Sequence, residues 1–359
     1  MKFLTKLGLY LHIPFCVKKC AYCDFYSAVF TEEMAVKYFE ALKREIKQWG
    51  GKINRPIDTI YLGGGTPSLL NDKLPNLLEC VKENFRVTQN AEITLEINPQ
   101  PNITQILENA KRAGINRLSI GAQSGADHEL KALGRTHSKD DTKNAVATAK
   151  ALGFSNVSLD LMLGLPDSDN KTLKTNLDFI TSLEPTHISA YILKVEPNTL
   201  FSKTENMLNL PDEDGICEQY LYMCEYLGKK GFSHYEISNF AKPQFESRHN
   251  LKYWNCEEYL GLGPSAHSFL NGERFYYPRD MKAFISGNTP IFDSEGGSDD
   301  EKLMLALRLK KGVSTDALPQ SKLDFFVKNG FAEIQNNQFS LTDKGMLISN
   351  QIILQLLEN

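Results

Sequence analysis

The 359-residue chain is predicted to be an α/β protein: a partial barrel of six strand-and-helix units, followed by a smaller C-terminal domain of helical, winged-helix-like character. Three observations predict it. Short β-rich runs alternate with amphipathic helical runs, one helix-to-strand stretch recurs, and the residues best suited to chemistry fall where strands run out into loops. Alternation of this kind means a parallel sheet, and repetition of one unit favours a TIM-like (β/α)6 part-barrel. A doubly wound open sheet is the alternative.

The six strands are Gly8 to Ile13, Thr59 to Leu62, Ile93 to Ile97, Arg117 to Ile120, Val157 to Leu163 and His187 to Leu193. The helices between them carry end signals. Ser138 is placed as an N-cap with Asp141 at the third helical position, apolar Ala145, Val146, Ala149 and Leu152 follow, and Gly153 ends the run. The repeat is seen in Ala110-Lys-Arg-Ala-Gly-Ile-Asn-Arg-Leu-Ser-Ile against Ala149-Lys-Ala-Leu-Gly-Phe-Ser-Asn-Val-Ser-Leu, with an echo at Gly231-Phe-Ser-His-Tyr-Glu-Ile. Residues 1–200 are read as the barrel and 201–292 as its extension. The glycine-rich stretch from Gly261 to His267 lacks the context of a dinucleotide fingerprint and reads as a turn.

Residues 293–359 form the second domain. After a low-complexity stretch, Asp293 to Asp300, the order is helix, helix, hairpin, helix, with the hairpin strands Phe331 to Ile334 and Gln338 to Leu341 turning at Asn336-Asn337. From Asp299 onward seven basic residues face eight acidic ones, Glu358 among them, so phosphate neutralisation would be feeble and nucleic acid is not the expected partner. A lid over the barrel mouth or a protein-docking surface fits better.

Composition agrees. With 42% hydrophobic and 23% charged residues and a formal net charge of −4, the chain suits a globular protein not built for polyanions. The amino terminus is too short and interrupted for a secretory signal, and no stretch reaches the length of a membrane span. A reducing cytoplasm is the expected location, and it would keep thiols free.

Between the first strand and the next helix lies Cys16-Val-Lys-Lys-Cys20-Ala-Tyr-Cys23. Structural zinc wants four ligands in other spacings, and seven cysteines is an odd number for a disulfide framework. Three thiolates on one short loop instead suit a four-iron cluster, leaving one iron open to a small molecule. Cys80, Cys217, Cys224 and Cys256 read as buried small hydrophobes. Further along, Gly63-Gly-Gly-Thr-Pro follows the second strand, and Glu96, Gln123 and Asp160 lie at or near the ends of the next three. All would converge on one mouth.

Taken with Tyr61-Leu-Gly-Gly-Gly-Thr-Pro-Ser, Glu96-Ile-Asn-Pro, Leu118-Ser-Ile-Gly-Ala-Gln, Leu133-Gly-Arg-Thr-His and Asp160-Leu-Met-Leu-Gly-Leu-Pro, the segment Tyr10-Leu-His-Ile-Pro-Phe-Cys-x3-Cys-x-Tyr-Cys resembles the radical S-adenosylmethionine (SAM) superfamily, in its coproporphyrinogen oxidase and heme chaperone branch. The resemblance implies a 4Fe–4S cluster on Cys16, Cys20 and Cys23 whose open iron takes SAM. It further implies that Gly64, Gly65 and Thr66 approach the methionine end, that Glu96 meets the ammonium, and that Gln123, Arg135 and Asp160 bond carboxylate or ribose. Tyr10 and Tyr22 would offer π-faces to sulfonium and adenine.

Within that branch, members that decarboxylate coproporphyrinogen carry a further cysteine two residues after the third and a longer amino-terminal segment. This chain has Phe25 there and begins nine residues before Tyr10. Arg248-His249-Asn250-Leu251-Lys252-Tyr253-Trp254 contains HNxxYW, similar to the motif of the heme-handling members, which implies His249 as an axial heme ligand. The implied function is a heme chaperone that uses cluster and SAM to deliver heme to acceptor proteins, at the membrane among other places, with an electron donor as a further partner. The alternative is oxygen-independent coproporphyrinogen III oxidase; no residue is assigned a catalytic role.

Overall fold

The computed structural model describes residues 5–204 and 207–357. Its first strand, β1 (Leu7–Ile13), buries Leu7, Leu9, Leu11 and Ile13 completely in the apolar cluster, and the alternate residues Gly8, Tyr10 and His12 go to the opposite face. A two-residue parallel pair, β2 (Phe15–Cys16) and β3 (Ala28–Val29), then closes the base of the cysteine loop. The main series continues with β4 (Ile57–Gly64), β5 (Val87–Ile97), β6 (Arg117–Gln123), β7 (Asn156–Leu163) and β8 (His187–Ile192).

These six long strands lie side by side in chain order, all parallel. Consecutive order has no switch point, so the doubly wound alternative is excluded and the part-barrel holds. Strands covered on both faces by helices read as continuous apolar runs. Here they alternate: Leu118 and Ile120, Leu159 and Leu161, Ile188 and Ala190 are buried outward in the apolar cluster, while Arg117 and Ser119, Ser158 and Asp160, His187 and Ser189 face a cavity. The inner face is polar because it lines space for a ligand.

The outer face is covered by the expected helices. In Lys139–Ala151 the Ser138 hydroxyl accepts from the Asp141 N–H and the Asp141 carboxylate accepts from the Ser138 N–H, a reciprocal cap, and Gly153 follows in a left-handed conformation at φ +79°.

Six short strands extend the sheet to twelve. The hairpin β9 (Ser233–Glu236) and β10 (Asn239–Ala241) adds antiparallel to β8; at the other edge β11 (Tyr259–Leu262) pairs parallel with β1, and β12 (His267–Leu270), β13 (Glu273–Tyr276) and β14 (Ile291–Glu295) follow antiparallel. Their brevity left no periodicity to read. Gly261, expected in a turn, is in β11, where a Cβ would stand 2.1 Å from the His267 carbonyl oxygen; the turn proper is Gly263 to Ser265, both at positive φ. The strand β14 spans the expected boundary between 292 and 293.

The C-terminal region comprises helix Asp299–Ala306, β15 (Val313–Ser314), helix Gln320–Lys328, the hairpin β16 (Ala332–Gln335) and β17 (Gln338–Leu341), and helices Asp343–Leu347 and Ser349–Leu357. The hairpin turns at Asn336 and Asn337, at φ +50° and +62°. Leu323, Phe326, Phe339 and Ile352 join the same apolar cluster as the barrel. Asp343 makes the polar joint, accepting from His234 at 2.9 Å and from the Lys310 ammonium at 2.8 Å. Cys224 completes a group whose ligand atoms lie within 4.8 Å, but Lys310 already supplies the positive charge Asp343 needs. Glu358 lies outside the described residues.

All seven cysteines are free thiols; Cys80 and Cys224 are buried as expected, whereas Cys217 and Cys256 are only partly covered. Among the described residues no helix is long and apolar enough to cross a membrane.

Candidate cofactor site in the barrel mouth

The cysteine loop is pinned at both ends by backbone bonds: the Phe30 N–H donates to the Cys16 carbonyl at 2.9 Å, and the Ala21 N–H to the Leu133 carbonyl at 3.1 Å. Cys16, Cys20 and Cys23 are partly exposed and line one side of a cavity of about 590 Å³. Burial raises the Cys23 thiol, so metal or positive charge is needed to hold it as thiolate.

A belt of polar bonds joins the loop to the barrel. The Thr66 hydroxyl donates to Cys16 Sγ at 3.7 Å and itself accepts from Asn98 Nδ2 at 3.0 Å; Asn98 Oδ1 accepts from Arg135 Nη2 at 2.6 Å; and Arg135 Nη1 donates to Cys20 Sγ at 3.5 Å. Donors aimed at sulfur stabilise the anionic thiolate, as the surroundings of an iron–sulfur centre require. The loop carries three thiols and no fourth, which fits a cubane with an open corner. Asn98, part of the Glu96-Ile-Asn-Pro stretch, was not singled out, yet it connects the two halves of the belt.

The glycines serve close approach. Gly64 sits at φ +119° and its N–H donates to Glu96 Oε2 at 3.1 Å; a Cβ on Gly65 would stand 2.5 Å from the Phe15 carbonyl oxygen. Glu96 also accepts from the Tyr61 hydroxyl at 2.9 Å, and its carboxyl is pushed up to about 7, by burial first and by the nearby Asp160 charge second. Burial likewise lifts Asp160 to about 6, although Ser119 donates to it at 3.2 Å. Two carboxyls with pKa values near neutrality would release their protons to solvent when a cationic ligand binds beside them. Gln123, at φ +66° on the end of β6, accepts from the Tyr191 hydroxyl at 2.6 Å.

Eleven of the thirteen residues expected at the site thus line one cavity: the three cysteines with Tyr22, Gly64, Gly65, Thr66, Glu96, Gln123, Arg135 and Asp160. Tyr10 and His249 do not. Tyr10 donates into or accepts from His12 Nδ1 at 2.9 Å and packs behind the wall, its ring centroid 6.2 Å from Tyr61 and 6.5 Å from His249. His249 is 1% exposed, with both ring nitrogens bonded, Nδ1 to Thr59 at 2.8 Å and Nε2 to the Tyr253 hydroxyl at 2.8 Å. Its own N–H donates to Glu92 at 3.0 Å, and burial depresses the imidazole to about 3, so it is neutral. In this packing His249 presents no nitrogen to heme iron. Trp254, at the end of the same motif, lies under the Arg308 guanidinium at 5.8 Å.

Arg117, Ser158, Ser189, Asn239 and Asn250 also line the deeper cavity. For Arg117, Ser158 and Ser189 the signal is the alternation of polar with apolar residues along the long strands; Asn239, in a three-residue strand, and Asn250, on a short helix, carry none.

Comparison with known proteins agrees with this geometry. The family model of the radical SAM superfamily matches residues 10–180. The heme chaperone HemW of Escherichia coli (strain K12) is 38% identical, covering 98% of both chains. That of Bacillus subtilis is 34% identical over 96% of this chain and 97% of its own, and that of Mycobacterium tuberculosis (strain H37Rv) 32% over 98% and 94%. Among solved structures, coproporphyrinogen III oxidase (HemN) from Escherichia coli superposes with a TM-score of 0.83 at 22% identity over 97% of this chain and 89% of that one, a likeness of fold. With relatives this similar along their whole length, the chain belongs to the HemW heme chaperone family of the radical SAM superfamily.

Proposed function

We propose that this chain carries heme: it holds a 4Fe–4S cluster on Cys16, Cys20 and Cys23, binds SAM against the cavity wall, and hands heme to acceptor proteins. The observation that carries this reading is Phe25. It occupies the position where decarboxylating members of the branch have a further cysteine, it is 69% exposed, and it lines the mouth together with Lys18, Lys19 and Lys194. A phenyl ring neither ligates metal nor donates a proton. Flanked by ammonium groups, it can lie against a porphyrin plane while the lysines meet propionates.

When bound, the cluster supplies an open iron and an electron, which an external donor must replenish. The chain's own residues position and balance charge: Thr66 and Arg135 stabilise thiolate sulfur, Glu96 and Asp160 receive cationic or hydroxyl groups, and Gly64 and Gly65 let the backbone come close. A reducing cytoplasm suits the free thiols, and acceptors there or on a membrane face would be reached by diffusion.

The test is anaerobic. Reconstituted protein given reductant, SAM and coproporphyrinogen forms no protoporphyrinogen, whereas heme titration saturates at a fixed stoichiometry; multiple turnovers to protoporphyrinogen would overturn the carrier reading. His249 enters heme ligation only if one ring nitrogen gives up its bond, Nδ1 to Thr59 or Nε2 to Tyr253 one turn along the same helix.

A further inference from the structure

Because the six long strands run parallel toward the mouth, their first inward residues form the floor of the cavity. Arg117, first in β6, is there with Ser158, His187, Ser189, Asn239 and Asn250. None of these is needed to explain cluster or SAM binding. Arg117 is 2% exposed, and its Nε and Nη1 have no hydrogen-bond partner.

A buried guanidinium without a partner is costly, and structures retain one only where something answers it. Its charge lowers the Glu96 and Asp160 carboxyls through space, but each of the acids around it spends its hydrogen bonds elsewhere. Glu96 accepts from Tyr61 and Gly64, Asp160 from Ser119, and Glu92 from the N–H groups of Arg248 and His249. Among the described residues no ion pair or hydrogen bond reaches the Arg117 side chain. His187 adds no charge, since burial holds it neutral and its nitrogens meet Ser158 at 2.7 Å and Tyr235 at 2.9 Å. A further buried atom beside it is unpartnered: the hydroxyl of Thr94, the residue paired with Arg117 across the β5–β6 register.

We propose that Arg117 is the anchor of a carboxylate-binding subsite at the floor of the barrel cavity. Its planar fork matches a carboxylate through two parallel hydrogen bonds, and the hydroxyls of Thr94 and Ser158 are the neutral groups beside it. The carboxylate reaches the floor through the mouth, either as a free short acid or as the propionate arm of a tetrapyrrole lodged in the cavity. This inference is independent of where heme docks.

Calorimetry on the anaerobically reconstituted full chain, supported by NMR of carboxyl-labelled propionate, tests it. Three probes are used: propionate, coproporphyrin III, and its tetramethyl ester. Saturable binding of propionate identifies the free-acid source; binding of coproporphyrin but neither propionate nor the ester identifies the arm. In both cases Arg117→Gln weakens binding about tenfold or more and Arg117→Lys by less, as expected for a lost charge-assisted bidentate contact. Circular dichroism and iron content establish that the variants fold, and should Arg117→Gln fail to fold, Arg117→Lys carries the comparison. The proposal is overturned if neither acid binds, if the ester binds as well as the acid, if the folded variant binds as well as the parent, or if chloride displaces the acid at equal concentration.

Discussion

The mouth and the floor edge of the barrel both carry aromatic and carboxylate groups, yet they are finished in opposite ways. His249 itself is fully paired: Thr59 and Tyr253 take its two nitrogens and Glu92 takes its backbone N–H. Around the cysteine loop three thiols are half-exposed, two carboxyls stand near neutrality, and the donors of Thr66 and Arg135 point at sulfur. The lesson is that residue type does not separate ligand site from core. Access to the cavity does: the thiols and carboxyls of the mouth line open space in which a ligand can reach them, whereas His249 is enclosed by protein groups on every side.

The sharpest way to break this contrast is at the mouth. Cys16→Ala should abolish cluster reconstitution, giving colourless protein by iron and sulfide assay, with circular dichroism and melting behaviour close to the parent. Retention of a full iron complement would mean another ligand replaces Cys16.

At the opposite region His249→Ala should act through stability. Leaving the buried hydroxyls of Thr59 and Tyr253 without their ring-nitrogen partners costs about 2–4 kcal/mol in urea unfolding, while the Glu92 bond to the backbone N–H and the cluster iron content stay unchanged. A loss of heme affinity without loss of stability would show that His249 does serve heme.

A third test uses protons in the cluster-free chain. Glu96 is pushed from about 4.5 in its ordinary state to about 7 in the fold. The native state therefore binds more protons than the unfolded one between those values, and stability falls as pH rises from 4.5 through 7. Glu96→Gln removes this slope, so the variant gains on the parent by on the order of 2 kcal/mol at pH 8 and by much less at pH 4. Equal stability differences at both pH values would show that Glu96 ionises freely.

The smallest effect is expected where the C-terminal region docks. Bonds from His234 and Lys310 hold the Asp343 carboxyl well below the usual carboxylate range. Its contribution is present above the unfolded value and is lost as pH falls through the folded one, in the acid range. Because the side chain is 38% exposed, screening limits the cost of Asp343→Asn to about 1 kcal/mol at neutral pH. Limited proteolysis between residues 293 and 312 should rise in the variant, and an unchanged cleavage rate would locate the joint in the apolar contacts alone.

Much of this molecule was legible along the chain because its signals are local. Six strands, the cap at Ser138, the Asn336-Asn337 turn and the cysteine spacing each depend on residues within a few positions of one another, where backbone preference and periodicity act. The short strands from β9 to β14 left no such signal, since three to five residues acquire strand identity only from the partners they add to.

The chemistry available is written along the chain: three thiols on one loop, glycines where the backbone must come close, and carboxylates at strand ends. Which of those groups are free to use it is settled by packing. Pairing depends largely on neighbours distant in sequence: Thr59 and Glu92 close off His249 together with Tyr253 one turn along its own helix, while no carboxylate hydrogen-bonds Arg117, which leaves its guanidinium facing the cavity.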